Sequence, residues 1–127
     1  MNTLKHDAAA GLKDIVNMRD GEIEAVFIFP AELAVFSGHF PGRPIVPGIL
    51  ELEMVRAAME RFTGSALRLI SIEKAKFLRE VKPGERILLN LDFTSSGSRF
   101  SVKGKSLVEE EKAAQIELTL EKEQVYS

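Results

Sequence analysis

Pro47-Gly48-Ile49-Leu50-Glu51-Leu52-Glu53-Met54-Val55-Arg56-Ala57-Ala58-Met59-Glu60-Arg61-Phe62-Thr63-Gly64 reads as one long helix, and the fold follows from what surrounds it. Proline and glycine open it, and Thr63-Gly64 closes it in the manner of a glycine C-cap. Leu52, Val55, Met59 and Phe62 recur at spacings of three and four and form an apolar stripe, which Leu50, Met54, Ala57 and Ala58 widen. The spacing predicts a helix more buried than one lying on a surface.

On its C-terminal side the chain reads as strands over residues 67–81, 86–94, 99–108 and 113–121. The breaks fall at Lys82-Pro83-Gly84-Glu85, at residues 95–98 and at the acidic turn Glu109-Glu110-Glu111. In the last strand Ile116, Leu118 and Leu120 alternate with Glu117, Thr119 and Glu121. On the N-terminal side, Asp20-Gly21 joins apolar stretches at 15–18 and 23–29 as a hairpin. Residues 30–48 hold four of the five prolines and are expected to form a shaped loop. Alternating βαβ units are absent, so an antiparallel α+β layer is favoured. One helix covers one face of about six strands, which calls for a curved sheet wrapped around it and a second copy closing what is left. The 127 residues make a single domain, with residues 1–21 an atypical N-terminal segment and first strand.

Composition narrows the function classes. A balance of 17 basic against 19 acidic residues, without a basic tract, gives no electrostatic grip on nucleic acid or anionic lipid. The absence of cysteine removes disulfides, thiolate metal sites and cysteine nucleophiles, and two histidines are too few for a histidine-rich metal site. No apolar run approaches the roughly 18 residues of a membrane span, and the opening residues lack a secretory apolar core, so the cytoplasm is the expected location.

Acid–base chemistry therefore has few candidates, and they cluster. Ser37-Gly38-His39-Phe40-Pro41-Gly42-Arg43-Pro44-Ile45-Val46-Pro47-Gly48 sets His39 among three prolines and three glycines, a stiff mount for a general base. The first-turn amides of the helix that follows are free donors at its positive end, suited to a carbonyl oxygen gaining negative charge. His39, the Gly48 amide and a carboxylate one turn later would serve as base, oxyanion donor and acid for proton abstraction beside a carbonyl. Two carboxylates compete for the third role. Glu53 falls beside Arg56 and Glu60 on the helical wheel, a solvated face with an i,i+3 pair to Arg56. Glu51 falls among Val55, Ala58 and Phe62, where burial would raise its pKa.

The stretch from Gly38 to Leu50, with Glu53 fourteen positions after His39, resembles the active-site signature of the β-hydroxyacyl-(acyl carrier protein) dehydratases, enzymes of the hot-dog fold. A second stretch, Ile72-Glu73-Lys74-Ala75-Lys76-Phe77-Leu78-Arg79-Glu80-Val81-Lys82-Pro83-Gly84-Glu85, is similar to the family's strand and turn, and the likeness spans about residues 22–121. The chain looks more like compact members of accessory acyl pathways, such as those making aryl polyenes, than the housekeeping enzyme. The resemblance implies that His39 takes the α-proton of a 3-hydroxyacyl thioester, that Glu53 protonates the departing hydroxyl, and that the Gly48 amide binds the thioester carbonyl. It implies an acyl tunnel lined by Phe40, Pro47, Ile49 and Phe77, and a site shared between two subunits. The partners implied are an acyl carrier protein or coenzyme A thioester and a homodimer or higher homo-oligomer. No metal or redox cofactor is implied. The motif register selects Glu53 over Glu51.

Two positions depart from the family pattern: Ala57 stands where a glutamine is common, and Lys76 where an arginine is usual. Residues 1–21 match no family feature. His6, in a polar stretch with no turn or carboxylate around it, is expected to be solvated. Arg43 is expected to be a solvated loop charge, the apolar belt of the long helix to be core and subunit contact, and Phe77 to be core. The rivals to a dehydratase are a thioesterase on the same fold and a non-catalytic acyl-binding module.

Overall fold

The computed structural model describes residues 3–36 and 44–124. The elements run α1 (Thr3–Gly11), β1 (Leu12–Arg19), β2 (Glu22–Phe27), a 3-10 turn (Ala34–Phe36), α2 (Gly48–Thr63), β3 (Leu67–Phe77), β4 (Ile87–Ser96), β5 (Arg99–Val108) and β6 (Glu111–Lys122). All neighbouring strands are antiparallel, in one six-stranded sheet of order β1-β2-β4-β5-β6-β3. β1 and β3 are its two edges.

Period-two alternation builds the inner face. Ile23, Ala25 and Phe27 of β2, Ile87, Leu89 and Leu91 of β4, Phe100 and Val102 of β5, and Ile116, Leu118 and Leu120 of β6 are buried together against Leu50, Met54, Val55, Ala58 and Met59 of α2. α2 packs on β1 and β3, opposite edges of the sheet, while Val55 reaches the middle, where a Cβ on Gly104 of β5 would sit 3.7 Å from its methyl group. A flat six-stranded sheet is too wide for one helix to touch at both edges, so the sheet curls around α2. This is the wrapped α+β layer expected from the sequence.

α2 spans the expected residues and ends on Gly64 in the left-handed region (φ 71°), whose N–H donates to the Glu60 carbonyl at 2.8 Å. Its apolar stripe fades at the far end: Phe62 is exposed and packs only partly inward, its ring 5.5 Å from that of Phe93.

Three expectations need correction. α2 is not the only long-range packing helix, because residues 3–11 form α1. Asp7 and Ala8 are buried, the Asp7 carboxylate accepts the Val35 N–H at 3.0 Å, and the Gly11 carbonyl accepts the Ile28 N–H at 2.9 Å. The absence of a side chain at Gly11 is required there, since a Cβ would lie 2.4 Å from the buried Phe29 ring. β3 ends at Phe77 and not at residue 81, because the Leu78 and Arg79 amides both turn to the Ala113 carbonyl and leave the ladder. Phe77 is 46% exposed and so is not core. Smaller shifts lengthen β4 to Ser96 and start β6 at Glu111, with Glu109 and Glu110 forming the exposed turn in left-handed conformations.

Candidate functional site

The loop expected to carry the chemistry runs into α2, and its last residues are held by the segment that follows β3. The Val46 N–H donates to the Val81 carbonyl at 2.7 Å, and the Gly84 N–H donates to the Phe29 carbonyl at 2.9 Å. That segment is in turn fixed by Arg79, whose guanidinium contacts Glu85 at 3.0 Å, the Val108 carbonyl at 3.3 Å and Glu111 at 3.7 Å. Glu85 also accepts the Lys82 N–H at 2.8 Å. Arg79 and Glu85 sit inside the second sequence motif, but a local reading made that stretch only a strand and turn. Their role in mounting the loop comes from contacts with β5 and β6.

Pro47 is the N-cap of α2 and provides no capping side chain, so the first-turn amides beginning at Gly48 are left without a side-chain acceptor from the cap. The Phe77 ring lies against Gly48: a Cβ built there would be 2.9 Å from Phe77 Cζ. Ile49 is 56% exposed. Of the residues assigned to an acyl tunnel, Pro47, Ile49 and Phe77 thus gather at the mouth of α2 or beside it, and apolar surface is left open there. His39, Phe40 and Arg43 lie outside the described residues.

The two carboxylates of the first turns part company. Glu53 is on the outward side of α2, mostly shielded, with Oε2 2.6 Å from Arg56 Nη2. This is the i,i+3 pair expected from the wheel. The contact is close but poorly aligned, and both Glu53 Oε2 and Arg56 Nε are buried without a hydrogen-bonding partner. Glu53 also lines a cleft of about 530 Å³ between α1 and α2, whose walls are Lys5, His6, Ala9 and Leu12 on one side and Glu53, Ala57, Glu60 and Arg61 on the other. His6 is exposed, as expected, yet it belongs to this wall and is not merely solvated. Glu51 points the other way, into the sheet: it is 2% exposed, its Oε1 has no hydrogen-bonding partner, and desolvation pushes its pKa up to about 7.

Among the described residues no helix is long and apolar enough to cross a membrane.

Comparisons with known proteins place this architecture. Among solved structures, the dehydratase heterocomplex ApeI:P from Xenorhabdus doucetiae superposes with a TM-score of 0.74 at 21% identity, covering 87% of this chain and 96% of that one, which identifies the hot-dog fold. Among curated proteins, the 3-hydroxyacyl-[acyl-carrier-protein] dehydratase FabZ of Enterococcus faecalis is 34% identical over 93 residues, 67% of this chain and 66% of that protein. The FabZ of Petrotoga mobilis is 31% identical over 118 residues, 82% of this chain and 80% of that protein. The chain spans just under two thirds of the length of the Enterococcus relative. The ApeI-like family, described by the ApeI dehydratase, matches residues 16–117. With most of its length matched in sequence and its fold matched in space, the chain belongs to the ApeI-like family of dehydratases.

Proposed function

We propose that the protein eliminates water from a 3-hydroxyacyl thioester, carried on an acyl carrier protein or coenzyme A, to give a trans-2-enoyl thioester in fatty acid or related acyl biosynthesis. The observation that carries this reading is the opening of α2. It begins at Gly48 with no capping side chain, directly after the segment leading from His39, and it sets Glu53 at a cleft on its outward side. The Gly48 amide then receives the thioester oxygen, which lowers the cost of forming the enolate-like charge as His39 removes the α-proton. Glu53 gives its proton to the β-hydroxyl, which leaves as water. Family membership supports the same reaction, since the curated relatives carry dehydratase names.

A homodimer completes the site in this reading. Among the described residues β3 is an eleven-residue edge strand paired only on its β6 side, and it leaves Leu69, Ile72 and Phe77 exposed, with Leu78 just beyond. A long apolar edge of this kind is a template for pairing with a second copy. Pairing there brings a partner to the side of α2 where Gly48 meets Phe77.

The test is hydration of a crotonyl thioester, followed by loss of the enoyl absorbance. The wild-type protein is expected to hydrate it, and His39→Ala to abolish the reaction while remaining folded. Mixing His39→Ala with Glu53→Gln is expected to restore part of the activity by forming one intact site per mixed dimer. Full activity in His39→Ala, or release of free thiol in place of hydration, overturns the reading.

A further inference from the structure

The cleft between α1 and α2 exists because small residues face each other: Ala9 on α1 and Ala57 on α2 leave it open between the flanking charged side chains. Ala57 is the position where the resembling dehydratases commonly carry glutamine, so the polar group expected beside Glu53 is missing from α2 itself. Across the cleft, α1 offers His6. Its backbone is well held, because the next residue, Asp7, is 2% exposed and bonded to Val35, and Lys5 Nζ lies 3.6 Å from Glu60 Oε2 on the facing helix. The volume of about 530 Å³ has room for several waters, its apolar floor of Ala9, Leu12 and Ala57 being rimmed by His6, Lys5, Glu53, Glu60 and Arg61, and the cleft is open to solvent.

The reaction proposed above leaves Glu53 with a task after each turnover. Its proton has departed in the water molecule, while the α-proton has gone to the His39 imidazole. The carboxylate must therefore be recharged from outside. We propose that His6 relays a proton from solvent through the α1–α2 cleft to Glu53. The inference rests on the dehydratase reading. The balance closes: His6 takes a proton from solvent and passes it through cleft water to a Glu53 oxygen, and the His39 imidazolium returns its own to solvent. His6 acts through Glu53 and does not touch the substrate. Lys5 and Arg61 are the other cationic groups lining the cleft, and Lys5 is already turned to Glu60, while Arg56 lies against Glu53 itself.

The experiment compares His6→Gln with wild type in the dehydratase assay, with and without added imidazole. The expected result is a loss of about tenfold in kcat with KM changed by less than about twofold, and recovery of kcat as imidazole is added. Ala57→Leu, which fills the cleft, is expected to lose a similar factor without recovering. Unchanged kcat in His6→Gln, a loss that imidazole does not restore, or an effect confined to KM overturns the relay. A second readout does not need turnover: the ring signals of His6 in the NMR spectrum are expected to move in Glu53→Gln. Signals that stay in place overturn the relay even in an active enzyme. An inactive wild type whose His6 signals do respond to Glu53→Gln counts instead against the dehydratase reading.

Discussion

Replacing Glu51 by glutamine should change the stability of the protein in a pH-dependent way whose sign is opposite to that of most carboxylates. Glu51 is buried on the sheet side of α2, one oxygen lacks any partner, and desolvation alone raises its pKa from 4.5 to about 7. The folded protein therefore holds a proton there that the unfolded chain has lost between those values. Stability from this group is fully present below about pH 4.5, declines as pH rises toward 7, and is gone above it. Moving a carboxyl from 4.5 to about 7 corresponds to about 3 kcal/mol. Glutamine keeps the shape and cannot ionise, so the variant should match wild type near pH 4.5 and exceed it by up to about 3 kcal/mol at pH 8. Urea unfolding at fixed protein concentration, at several pH values across this window, measures the difference, and subtracting the two proteins cancels the contribution of every other titrating group. A difference that does not vary with pH, or that favours wild type at pH 8, refutes the claim that Glu51 is an uncompensated buried acid.

Gly11→Ala is expected to lower stability by about 1–3 kcal/mol, seen as a lower Tm, because its Cβ would lie 2.4 Å from a Phe29 ring that has nowhere to move. Gly48→Ala meets the Phe77 ring at 2.9 Å, but that ring is half exposed and can swing away. The expected result is less than about 1 kcal/mol of destabilisation together with a clear loss of dehydratase activity, measured on the same sample. Ile72→Glu puts a charge on the exposed face of the edge strand β3 and is expected to yield a folded monomer by light scattering, with activity lost alongside dimerisation.

Much of the fold was legible because it is written in local periodicity. The alternation of Ile116, Leu118 and Leu120 gave β6, and the glycine at 64 gave the end of α2. The i,i+3 spacing of Glu53 and Arg56 also foretold their contact. What escaped depends on packing between distant segments. α1 spans only nine residues and carries three consecutive alanines, so it shows little amphipathic pattern. The run of alanines closed by Gly11 was its one available signal. Phe77 looked like core because its side chain is apolar, yet it stands at the end of an edge strand, where among the described residues no further strand covers it. At the site, the wheel separated the buried Glu51 from the outward Glu53, and only the longer motif chose between them. His6 looked unremarkable in sequence because the facing wall of its cleft lies some fifty residues away in the chain.

The cover of the cleft is a detachable part in evolutionary terms. Among the described residues it is built by Lys5, His6 and Ala9 of a short N-terminal helix, seated by Asp7 and Gly11, with Leu12 at the start of β1 beside them. Replacing residues 3–11 by another helix should therefore change the chemistry that faces Glu53 while leaving α2 and the strands in place.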